Sequence, residues 1–135
     1  MVHRGAAAVE FALVLIPLLL ILLGTIDYGY YFYLREVVTN AAREGARIAS
    51  TSLEATPGSR CDDGKAAATA YMTMVGLDGA GATVTPAVVY LDPDHPAQAT
   101  CRLSVAYPAG SVTGFLPSPS AIPGTASAQA QMRLE

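Results

Sequence analysis

The sequence predicts an α+β fold. A long N-terminal helix, transmembrane in its first half, leads into a small domain with a short helix and a three-stranded, mostly antiparallel sheet. Three observations carry this. Residues 6–26 hold a single charged residue, Glu10. Small and apolar residues then recur at three- and four-residue spacing to about Ser50, and no proline occurs between Pro17 and Pro57. The last third of the chain alternates apolar and polar residues between proline- and glycine-rich connections. The chain therefore divides into a short head at 1–5, a long helix at 6–50 with its span at about 6–27, and an exported domain at 51–135.

A helix from Ala6 to Ile26 rises roughly 30 Å, the thickness of a bilayer's hydrocarbon core. A secretory signal has a shorter apolar run followed by a small-residue cleavage site. Here the run leads to Asp27 and to Tyr28, Tyr30, Tyr31, Phe32 and Tyr33. The aromatic cluster reads as an interfacial belt at the outer edge of the bilayer. The alternative is that these rings belong to the core of a soluble domain. Arg4 makes the head positive and the next basic residue is Arg35, so the positive-inside rule puts the N-terminus in the cytoplasm. Pro17 removes a backbone donor and strips the Leu13 carbonyl of its partner. A kink or a short unwound stretch is expected there.

Beyond the bilayer, Leu34, Val38, Ala41, Ala42, Gly45 and Ala49 recur at helical spacing, with Arg35, Glu36, Arg43, Glu44 and Arg47 on other faces. Ala41, Gly45 and Ala49 form a ridge of small residues that lets another backbone come close. That backbone can belong to another subunit, or the ridge can pack on the chain's own sheet.

Residues 51–60 read as a loop, and Asp62 and Asp63 stand where a helix cap is wanted. Lys65–Val75 is then the short helix, ended by Gly76. Residues 83–91 form a strand that Pro86 confines to a sheet edge or to a bulge. In residues 100–107, Cys101, Leu103, Val105 and Tyr107 share one face, with Thr100, Arg102, Ser104 and Ala106 on the other. Residues 108–124 are an exposed connection. Residues 125–135 form the last strand, whose Ala126, Ala128, Ala130, Met132 and Leu134 face a close neighbour, expected to be the long helix. The two cysteines, Cys61 and Cys101, form a disulfide if this part is exported. The alternative is a pair of buried free thiols.

Composition narrows the function. Residues 51–135 hold four basic and seven acidic residues, which accounts for the net charge of −3. A mildly acidic domain without a basic patch excludes nucleic-acid binding. Two cysteines cannot close a zinc site, and His3 and His95 lie far from both. Asp92 and Asp94 fall short of a calcium loop. No metal, no cofactor and no catalytic group is expected, so the chain is not read as an enzyme. Glu10 is the exception to this plainness. A carboxylate at bilayer depth costs several kcal/mol unless paired, and marks a functional position. No Lys or Arg between residues 5 and 34 can reach it, but a neighbouring chain's amine could. The simpler reading is that Glu10 snorkels to the interface.

Gly5 followed by Ala6-Ala7-Ala8-Val9-Glu10-Phe11 resembles the prepilin-peptidase site of the type IV pilin superfamily. Over residues 4–50, the span with Asn40-Ala41-Ala42-Arg43-Glu44-Gly45-Ala46-Arg47 is similar to the TadE-like family of tight-adherence (Flp-type) pilus assembly proteins. These are minor pilins or pseudopilins. The resemblance implies cleavage between Gly5 and Ala6. It also implies pairing of Glu10, beside the aromatic Phe11, with the new amine of Ala6 on an adjacent subunit. It implies residence in the bacterial cytoplasmic membrane, possible incorporation into a pilus, and contact with prepilin peptidase, other pilin subunits, the assembly platform and membrane lipid. Flp pilins of the major type are much shorter, so the exported domain argues for a minor subunit. The alternative function is a membrane-anchored binding or adhesin domain that is never processed.

Overall fold

The computed structural model describes residues 3–91, 98–114 and 123–134. His95, Asp92 and Asp94 lie outside the described residues. One helix, α1 (His3–Thr51), is followed by α2 (Pro57–Met74), a 3-10 turn (Gly79–Gly81) and three strands: β1 (Thr83–Tyr90), β2 (Ala99–Pro108) and β3 (Thr125–Arg133). The strands form one antiparallel sheet in the order β1-β2-β3. The fold is α+β, as its sequence predicts.

Both helices cover one face of the sheet. α1 packs on α2, β2 and β3, and α2 packs on β1 and β2. Cys101, Leu103 and Val105 of β2 point into this layer and are fully or nearly fully buried. Facing them are Leu34, Val38, Ala41, Ala42 and Ala49 of α1 and Ala68 and Met72 of α2. Pro86 stands in β1, an edge strand that pairs with β2 in unbroken register, so it sits at the sheet edge without a bulge. Ala126 of β3 is fully buried, but Met132 is 41 % exposed, against the sequence expectation of an inward side chain.

The second helix begins earlier than its sequence implies. Thr56, not Asp62 or Asp63, is the cap: its hydroxyl accepts from the Ser59 amide at 3.2 Å, and Pro57 takes the first helical position. Gly64, just ahead of the expected start at Lys65, is buried in mid-helix. At the other end Gly76 adopts φ +84°. Its amide donates to the Thr73 carbonyl and that of Leu77 to the Met72 carbonyl, both at 3.0 Å, a Schellman closure. Around Pro17 the helix assignment of α1 is unbroken, so no unwound stretch occurs there.

Candidate functional site

From Gly5 to Ile26, α1 stands clear of the rest of the chain. Gly5, Ala6, Glu10 and Phe11 are all exposed, and no residue of the helix's most apolar 18-residue window is buried. Val9, Phe11, Leu13, Val14, Ile16, Leu18, Leu19, Leu20, Ile21, Leu22 and Ile26 are each between 42 % and 70 % exposed. Leaving that much apolar surface in water costs on the order of 15 kcal/mol, as much as a whole domain's stability. This segment therefore requires lipid or other helices around it, and it anchors the chain to a membrane.

The C-terminal domain takes hold of the helix at Asp27. This carboxylate is fully buried and accepts four hydrogen bonds from the turn after β2. The Val112 and Thr113 amides donate to Oδ1 at 2.9 Å each. The Ser111 and Thr113 hydroxyls donate to Oδ2 at 2.6 and 2.7 Å. Ser111 Oγ also accepts from the Gly114 amide at 2.9 Å, and Gly114 adopts φ +68° to close the turn. Sequence reasoning missed this clasp. It read Asp27 as the polar end of the span and residues 108–124 as an exposed connection. The available signal was a Ser-Val-Thr-Gly run, rich in short donors and ending in the residue that turns most easily.

The aromatic cluster is divided by the same junction. Tyr30 and Tyr31 pack against the core, whereas Tyr28, Phe32 and Tyr33 are exposed. Only the second group faces outward, because the domain closes onto the helix at residue 27 and covers one side of the cluster.

Ala41, Gly45 and Ala49 are buried, and the backbone that comes close to them is the chain's own α2. A Cβ built on Gly45 would lie 2.5 Å from the Gly64 carbonyl oxygen and 2.8 Å from Leu103 Cδ1. One built on Gly64 would lie 2.6 Å from the Gly45 carbonyl oxygen and 2.9 Å from Ala49 Cβ. Each glycine thus makes room for the other helix's backbone. Gly45→Ala should destabilise the domain by about 2 kcal/mol and lower its melting midpoint by roughly 10 °C, read by circular dichroism in detergent. An unchanged midpoint would contradict the contact.

Cys61, on α2, and Cys101, on β2, form a disulfide with Cα atoms 5.7 Å apart. It ties helix to sheet in the middle of the core. No cluster of metal-ligating side chains occurs among the described residues. No curated protein and no solved structure matches the chain. The family model described as TadE-like protein matches residues 5–47, a stretch that takes in Gly5, Glu10, the bare span and Ala41 and Gly45 of the small-residue ridge, but neither α2 nor the sheet. Over residues 5–47 the long helix is similar to the TadE-like family.

Proposed function

We propose that this chain is a minor pilin or pseudopilin that acts structurally, not as an enzyme, in assembling, initiating or capping a tight-adherence pilus. TadE-like proteins are involved in assembly of such pili. The observation that carries the reading is the bare apolar helix with Glu10 near its start. As made, it sits in the bacterial cytoplasmic membrane with the head in the cytoplasm and the domain outside. Prepilin peptidase cuts between Gly5 and Ala6. Cleavage removes Arg4 and creates an amine at the membrane face. Glu10 of one subunit then pairs with the Ala6 amine of its neighbour, which offsets the cost of placing a carboxylate in an apolar layer. The span thus exchanges lipid for other helices, and its apolar surface is satisfied in both settings. Pro17 gives the helix a place to bend during that transfer.

Mass spectrometry of the protein co-expressed with the peptidase tests this. The mature N-terminus should be Ala6. An intact head under those conditions would leave a membrane-anchored binding domain as the reading. In the same host, Glu10→Ala should insert normally yet abolish piliation, and normal pili would remove Glu10 from the mechanism.

A further inference from the structure

The two edges of the sheet are unequal. At the ends of the β2–β3 ladder the Leu134 amide donates to the Ala99 carbonyl and the Ala109 amide to the Gly124 carbonyl, each at 3.0 Å. Both pairs continue the register of the strands between them. Bonded pairs recur at every second residue of an antiparallel ladder. The even-numbered residues of β3 therefore bond to β2. The N–H and C=O groups of Thr125, Ser127, Gln129, Gln131 and Arg133 point out of the sheet, and all five residues are exposed. The same alternation turns Pro86, opposite Leu103, to the outer edge of β1. That edge lacks a donor near its middle and is blunted. β3 has no proline, no glycine and no bulge. Its nine residues leave an open template for a further strand.

The far end of that edge also carries an unanswered charge. No Asp or Glu stands in any of the three strands, in a domain that is acidic as a whole. Arg102 and Arg133 are diagonal neighbours on the face turned away from the helices. Arg102 donates from Nε and Nη2 to Gln131 Oε1, at 3.3 Å each. The Arg133 side chain has no ion pair and no hydrogen bond among the described residues.

We propose that the free edge of β3 binds an extended segment of a different protein, antiparallel to it, with an acidic side chain opposite Arg133. Only another strand satisfies a whole row of outward donors and acceptors at once. On the helix side the segment's alternate residues are apolar, because they meet the half-buried Ala128 and Ala130 and the exposed Met132. A second copy does not fit this edge. Leu103 lies at Gly45 and Ser111 at Asp27, so β2 runs back toward the span and β3 away from it. Two copies anchored in one membrane stand the same way up, and their β3 strands run parallel. A two-fold axis along parallel strands sets donor against donor and acceptor against acceptor. Joining β3 of one copy to β1 of another meets Pro86. A tail or loop of a different chain is free to run the opposite way. The proposal is independent of cleavage at Gly5 and of the role of Glu10.

The probe is a dye-labelled, acetylated peptide as long as β3, a glutamate followed by alternating valine and threonine, added to the full-length protein in detergent. Fluorescence anisotropy should show saturable binding. Amide exchange at Ser127, Gln129 and Gln131 should slow roughly tenfold or more, with exchange along β1 unchanged. The same peptide N-methylated at its threonines, whose amides face β3, should not bind. Gln129→Pro gives β3 the device that β1 already has. It should weaken binding roughly tenfold at an unchanged melting midpoint. If that variant melts early, the N-methylated peptide carries the test, since it leaves the protein untouched. Arg133→Glu should weaken the glutamate peptide and strengthen one with lysine in its place, each about fivefold. Equal binding of the N-methylated peptide, equal binding to a folded Gln129→Pro, protection along β1 instead of β3, or no saturation would each overturn the proposal. So would protection of the same amides without peptide that rises with protein concentration, the mark of a second copy. A charge swap without effect overturns the acidic partner.

Discussion

Asp27→Ala should release the turn after β2 and loosen the domain from its helix. The substitution strips four donors of their acceptor at once: two amides and two hydroxyls that now face a methyl group. Groups left half-buried without partners cost more than the bonds they lose. Amide exchange at Val112 and Thr113 should rise roughly a hundredfold or more, and a protease should cut the segment that follows β2. Asp27→Asn is the informative comparison. Its carbonyl oxygen can keep both amide bonds, and its NH2 group can donate to the hydroxyl oxygens once these rotate. Most of the protection should return. If the alanine variant exchanges at the wild-type rate, the clasp does not hold the turn.

Cys61→Ala with Cys101→Ala should be nearly as damaging, by a different route. The bridge spans 40 residues of sequence and joins the two layers of the core. In the chain-entropy account, removing it returns about 4 kcal/mol of freedom to the unfolded chain. That is a large share of what a domain of this size has to spare. The urea midpoint should fall by roughly 2 M, and treatment of the wild-type protein with a thiol reductant should give the same fall. A midpoint indifferent to reductant would mean that the core holds without the bridge. The disulfide also fits a domain outside the cytoplasm, where such bonds persist.

What could be read from the sequence was whatever depends on local periodicity. The span, the long helix, the three strands and the Cys61–Cys101 pair all follow from patterns within a few residues or from simple elimination. What could not be read depends on distant partners. Asp27 meets residues 84 to 86 positions away, and nothing beside it announces the meeting. Gly64 lay outside the short helix expected over Lys65–Val75, and glycine's propensity argues against a helix. The site selects it for the room it leaves to Gly45, and packing overrides propensity there. The tyrosines were ambiguous for a related reason. A helix that leaves a bilayer and enters a domain within one turn has rings facing both ways. Of the candidate site itself, a short motif singles out Gly5, Ala6, Glu10 and Phe11, and the cleavage and piliation experiments are their test.

The unbroken course of α1 past Asp27 has a mechanical consequence. Anchored domains on flexible tethers swivel, and a pull on them is absorbed by the tether. Here the apolar anchoring rod is the same rod on which the domain is built, and the clasp fastens the two at Asp27. The tilt of the rod sets the attitude of the sheet. A slide of one helical turn, about 5.4 Å, lifts the whole domain by the same distance. Force applied to the domain passes into the rod below Asp27 without a tether's slack, as through a piston.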